Sequence, residues 1–144
     1  MDAFNDVVRL ARALGEHRVD YAIVGGVALN LHGLIRATED IDLFVRPDSD
    51  NIARLRLALH AIWTDPDIDE IRSDDLCGEY PVVRYCPPSG ALFLDILTRL
   101  GEQTSYEDLE VTEKMIDGQS IRVASPQTLY RMKCDTVRPI DKAD

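Results

Sequence analysis

Two aspartates one residue apart, Asp40 and Asp42, interrupt the apolar run DIDLFV, and a third, Asp95, interrupts ALFLDILT. Carboxylates are costly to place among Ile41, Leu43 and Phe44 unless something compensates them. Read as a strand, the first segment points Asp40 and Asp42 to one face and Ile41 and Leu43 to the other. Two like charges that close tend to keep a proton unless a counter-charge intervenes. A divalent cation is such a counter-charge, and an all-oxygen ligand set suits Mg²⁺ or Mn²⁺ rather than zinc. If the strand of Asp95 lies beside that of Asp40 and Asp42, three carboxylates meet. That arrangement can hold two metal ions for an in-line phosphoryl or nucleotidyl displacement.

The second half of such a site precedes the first aspartate. In DYAIVGGVALNLHG a short apolar run ends at Gly25-Gly26 and a helical pattern follows. Backbone amides at a strand-to-helix turn bind phosphate, and glycine lets a phosphate approach the chain closely. A glycine pair after a strand, or a DxD alone, is weakly specific. Strand, glycine pair, helix, DxD strand and a later Asp strand in that order are much more so.

The elements that must position these residues follow from periodicity. Residues 3–17 carry Phe4, Val7, Val8, Ala11 and Leu14 at helical spacing. Residues 20–24 read as a buried strand, VALNLHG as a helix ending at Gly33, and residues 40–46 as a strand closed by Pro47. Asp48, Ser49 or Asp50 is suited to cap a helix through Trp63, with Ile52, Leu55, Leu59 and Ile62 on one face. Residues 64–78 are acidic and ambiguous. Residues 80–86 and 91–98 form a hairpin candidate around PPSG, and 109–116 with 119–124 a second around Asp117-Gly118. Ser125 and Pro126 open a final helix to about Val137. Helices and strands without strict alternation indicate an α+β (mixed α/β) fold, a small mixed sheet flanked by helices. No linker or repeat interrupts the 144 residues, so one domain is expected.

Composition narrows the class. Apolar residues make up 45% and charged residues 29%, ordinary for a soluble globular domain. No apolar run approaches the roughly 18 residues a membrane span needs, and the N-terminus does not read as a signal peptide, so a cytoplasmic, membrane-free location is expected. Cys77, Cys86 and Cys134 are widely spaced and read as ordinary thiols. His17, His32 and His60 read as helix residues without a partner. The net charge of −10 argues against a broad nucleic-acid-binding surface, though not against a nucleic acid held locally. Much of the excess lies in Asp65, Asp67, Asp69, Glu70, Asp74 and Asp75, read as a solvated edge.

The motifs VGGVALNLHG…R.TEDIDLFV resemble the nucleotidyltransferases of the polymerase-beta type. With the tail SPQTLYRMKCDTVRPIDKAD, they are more closely similar to the AbiEii-like abortive-infection and toxin–antitoxin nucleotidyltransferases. The resemblance runs from about Tyr21 to Asp144. It implies a metal-dependent enzyme moving a nucleoside monophosphate from an NTP to an acceptor hydroxyl, on a tRNA 3′ end or a protein, with Mg²⁺ or Mn²⁺ as cofactor and a cognate antitoxin as partner. Matched residue by residue, it implies Asp40 and Asp42 as ligands of metal and triphosphate, and Asp95 as a third ligand that helps deprotonate the acceptor. It implies phosphate contacts from Gly25, Gly26 and Lys133, with Arg36, Thr38 and Arg138 contacting phosphate or bracing the loop and Asp141 as the tail acid. Three departures stand against the pattern. Gly26 replaces a common serine, the interval from Gly26 to Asp40 is long, and the chain ends at the tail motif, which reads as a minimal or C-terminally truncated form. Two other readings compete: a non-catalytic nucleotide-binding or protein-interaction module, and a transferase acting on a small antibiotic. A plain α+β domain with an incidental DxD would place Asp95 far from Asp40.

Overall fold

In the computed structural model residues 3–25, 40–76, 82–88, 93–100, 104–116 and 118–136 are described. Helix α1 (Ala3–Glu16) leads into strand β1 (Tyr21–Val24), and strand β2 (Asp40–Val45) is followed by helix α2 (Ser49–Ile62). The acidic segment forms a 3₁₀ turn (Pro66–Glu70) and a short helix α3 (Ser73–Leu76). The first expected hairpin is β3 (Val82–Tyr85) with β4 (Phe93–Leu97), and the second is β7 (Val111–Ile116) with β8 (Gln119–Ala124). Gly118 takes a φ of +79° in the second turn, as the Asp-Gly signal requires. Between the hairpins lie two short strands absent from the sequence reading, β5 (Arg99–Leu100) and β6 (Thr104–Ser105), and a 3₁₀ turn at Tyr106–Asp108. Helix α4 (Pro126–Thr136) closes the described chain, and Ser125 Oγ accepts the Thr128 amide at 3.1 Å as its cap.

Six strands form one mixed sheet in the order β3-β4-β2-β1-β8-β7. β1 runs antiparallel to β2 and parallel to β8, and β2 runs parallel to β4. The alternation expected for DIDLFV holds. Ile41, Leu43 and Val45 join Ile23, Leu94, Ile96, Ile121 and Val123 in the main core, beneath Val7, Leu10 and Leu14 of α1 and Ile52, Leu55 and Leu59 of α2. The opposite face carries Asp42, then a smaller apolar cluster of Val24, Phe44, Leu97, Tyr106 and Ala124. The strand is therefore apolar on one face throughout, and on the other only beyond the carboxylates.

The end of the sheet opposite the aspartates is tied by polar contacts. Asn51, fully buried in the first turn of α2, accepts the Asp20 amide at 2.8 Å and donates to the carbonyls of Asp20 and Arg46 at 3.0 Å each. Its own amide is received by Asp48 at 2.7 Å, the N-cap that the sequence suggests. One side chain thus fixes the start of β1, the end of β2 and the start of α2. An Asn51→Ala substitution strands these buried backbone groups, and we expect a loss of about 3 kcal/mol in urea unfolding.

Trp63 and Phe44 are core residues as expected, and Tyr85 packs in the hairpin with its ring 6.0 Å from that of Trp63. The Tyr85 hydroxyl donates to Asp65 at 2.8 Å; burial and this carboxylate push its pKa up. His60 does have a partner, contrary to the reading from sequence: its Nε2 lies 2.9 Å from Asp69 in the acidic segment. The neighbouring Asp67 and Glu70 face solvent.

Candidate active site

Strand pairing assembles the site as a row across one end of the sheet. Val24 on β1 is level with Asp42 on β2, Asp42 with Asp95 on β4, and Asp95 with Arg84 on β3. Neighbouring strands lie about 4.8 Å apart, so residues level with one another present their side chains side by side on one face. Asp42 and Asp95 are such a pair, both half-buried. Each sits where its strand leaves the apolar cluster, with Phe44 and Leu97 two residues further on. The parallel pairing of β2 with β4 is what makes the two aspartates coincide. A slip of one residue would send Asp95 to the other face.

Gly25 follows Val24 directly and takes a φ of +75°. A Cβ on Gly25 would overlap Asp42 Oδ2 and lie 3.0 Å from Asp42 Cγ and 3.3 Å from its Cβ. The first glycine of the expected phosphate turn is thus packed against the second aspartate of the DxD. On the other side of β1, Ile23 is level with Val123, so β8 ends and α4 begins at the same end of the sheet.

At the outer end of the row, the Arg84 guanidinium grips Asp95 with both arms. Nε donates to Oδ1 at 2.8 Å and an Nη to Oδ2 at 3.1 Å. The same guanidinium lies 5.4 Å from the centre of the Phe93 ring, and Phe93 is level with Asp40. The sequence reading did not single out Arg84. The signal was there in the hairpin alignment of VVRY against FLDIL, which sets Arg84 opposite Asp95 once the register is chosen.

Of the residues expected at the site, Gly25, Asp42 and Asp95 come together. Asp40 begins β2 on the same face as Asp42 by alternation, with its side chain outside the described residues. Lys133 lies on α4, its side chain likewise outside them. Gly26, Arg36, Thr38, Arg138 and Asp141 fall outside the described residues altogether. Among the described residues no three His, Cys, Asp or Glu side chains gather as a metal-ligand set. The carboxylates of Asp42 and Asp95 nevertheless fit a hard cation: they are oxygen donors side by side at the end of an apolar layer, and the missing Cβ at Gly25 is what lets the Asp42 carboxylate lie against the turn. No described helix is long and apolar enough to cross a membrane.

Comparison with known proteins bears on the fold and the family. A protein from Thermotoga maritima assigned as a nucleotidyltransferase has a similar structure, with a TM-score of 0.65 and 15% identity over 97% of this chain and 87% of that one. The antibiotic-modifying enzyme ANT(2″)-Ia, solved with adenylyl-2″-tobramycin, is also similar, with a TM-score of 0.55 and 19% identity over 95% of this chain and 79% of that one. At these identities the likeness establishes the nucleotidyltransferase fold. No curated protein sequence matches the chain significantly. The model of one family, described as the nucleotidyl transferase AbiEii toxin of type IV toxin–antitoxin systems, matches residues 9–141. With a matched span that takes in the glycine turn, all three aspartates and the tail, the chain belongs to the AbiEii nucleotidyltransferase toxin family.

Proposed function

We propose that this nucleotidyltransferase moves a nucleoside monophosphate from an NTP to a hydroxyl on RNA, such as a tRNA 3′ end, or on a protein, and does so at the row Gly25–Asp42–Asp95. The observation that carries this reading is the pairing of Asp42 with Asp95 beside a glycine packed against Asp42. Asp40, Asp42 and Asp95 would hold Mg²⁺ or Mn²⁺, which when bound neutralises charge building on the phosphates. The turn at Gly25-Gly26 offers backbone amides to the triphosphate, with Lys133, Arg36 and Thr38 as further contacts. Asp95 Oδ receives the proton of the acceptor hydroxyl. The acceptor oxygen bonds to the α-phosphorus as the bond to the pyrophosphate oxygen breaks. The protein's share is alignment and fixed charge. Arg138 and Asp141, in the matched tail, would brace the nucleotide.

The family's toxin–antitoxin assignment implies a cognate antitoxin, and the net charge of −10 suits an acceptor engaged locally rather than along a broad groove. The test is incubation of the purified chain with each α-labelled NTP and Mg²⁺ against cell RNA and protein fractions. Label entering one fraction with a single NTP is the expected result. NTP binding without transfer to either fraction would replace this reading with that of a nucleotide-binding module or of a transferase acting on a small molecule.

A further inference from the structure

We propose that Arg84 is a positioning residue for Asp95: a displaceable counter-cation that holds the carboxylate in place and sets how much divalent metal the site needs. This rests on the reading of Asp42 and Asp95 as metal ligands. Two carboxylates on adjacent strands repel, and a cation against one of them relieves the repulsion. Arg84 supplies that charge in the geometry guanidinium favours, one arm to each oxygen of Asp95. A metal ion joining Asp42 to Asp95 draws on at least one of the same oxygens and brings a second positive charge up against the guanidinium, so the two cations compete by repulsion across the shared carboxylate.

The placement allows exchange. The Arg84 side chain is 53% exposed and that of Asp95 21%, so the arginine is the solvent-side partner of the pair. It stands on β3, at the edge of the sheet. The Phe93 ring next to the guanidinium offers a face that a displaced cation can keep. Arg84 therefore blocks Asp95 only against weaker competitors than a dication, and returns when the dication leaves.

The test is a titration of the full chain with Mn²⁺ alone, read from the signal of free Mn²⁺ in electron paramagnetic resonance, with no nucleotide present. Arg84→Met, which keeps an unbranched stem and removes the charge, is expected to bind Mn²⁺ about fivefold more tightly than the native chain, the gain set by a partly exposed ion pair. Arg84→Lys, which keeps charge without the two-armed grip, is expected to fall between them. Circular dichroism checks that each variant is folded. Unchanged or weaker Mn²⁺ binding in a folded Arg84→Met overturns the proposal. Asp42→Asn is the control: if it leaves Mn²⁺ binding intact, the metal site itself is misassigned, whereas loss of binding there with no shift in Arg84→Met sinks only the role of Arg84.

Discussion

A Gly25→Ala variant should stay folded and lose about 10²-fold or more of its transferase activity. The loss has two sources. At φ +75° an alanine pays roughly 1–2 kcal/mol for left-handed backbone, which lowers stability without touching chemistry. The new methyl also overlaps Asp42 Oδ2 and crowds Asp42 Cγ at 3.0 Å. Asp42 cannot retreat with its strand, because β2 is paired on both sides, to β1 through Val24 and to β4 through Asp95. The carboxylate must rotate, or the turn at Gly25, proposed to carry the phosphate amides, must move. Displacement of a positioned group by about 1 Å is enough for such a loss. The measurement is transfer of labelled NMP beside the urea midpoint. Native activity in a folded Gly25→Ala would show that this turn and Asp42 need not stay in register for catalysis.

The same packing shows which parts of the site could be read from sequence and which could not. Asp40, Asp42 and Asp95 stood out because carboxylates in apolar strands are costly without a partner, and because they come in order after a strand and a glycine pair. That the strand of Asp95 would lie beside that of Asp40 and Asp42 was a condition stated from sequence; β2 does pair with β4, and the register that sets Asp95 level with Asp42 was not legible beforehand. Helices α1, α2 and α4 and both hairpins were legible for similar reasons: a 3.6-residue period, a cap at Asp48, a Gly118 turn; the helix expected over VALNLHG lies outside the described residues. Arg84 was not legible, because an arginine in an edge strand is ordinary until the register sets it against Asp95. Asn51 was hidden in the same way. In a helix's first turn it reads as one more polar residue, and only the approach of Asp20, 31 residues away in sequence, beside Arg46 makes it a junction. The strands β5 and β6, two residues each, are too short to show a period. For Arg84 and Asn51 the shared cause is pairing and packing, which fix who faces whom and are not written in any single local run.

Asp42→Asn should produce the larger catalytic effect: a loss of about 10³-fold in transfer, with unfolding changed by no more than about 1 kcal/mol. Asparagine keeps the shape and one oxygen, so the packing beside Gly25 and Phe44 survives. What goes is the negative charge that would hold the metal, worth several kcal/mol of transition-state stabilisation at about 1.4 kcal/mol per tenfold in rate. The small stability change follows from position. Asp42 lies at the end of β2 where the apolar layer stops, level with Asp95 on one side and Val24 on the other. Asn51→Ala makes the opposite case, since it empties the knot at the far end of β1 and β2 without touching a carboxylate. The two variants measured together, each by labelled transfer and by urea unfolding, separate chemistry from scaffold along a single strand. The first should fail in transfer and unfold normally; the second should unfold early and, where folded, still transfer. If Asp42→Asn transferred at the native rate while folded, the site would have to be sought away from this end of the sheet.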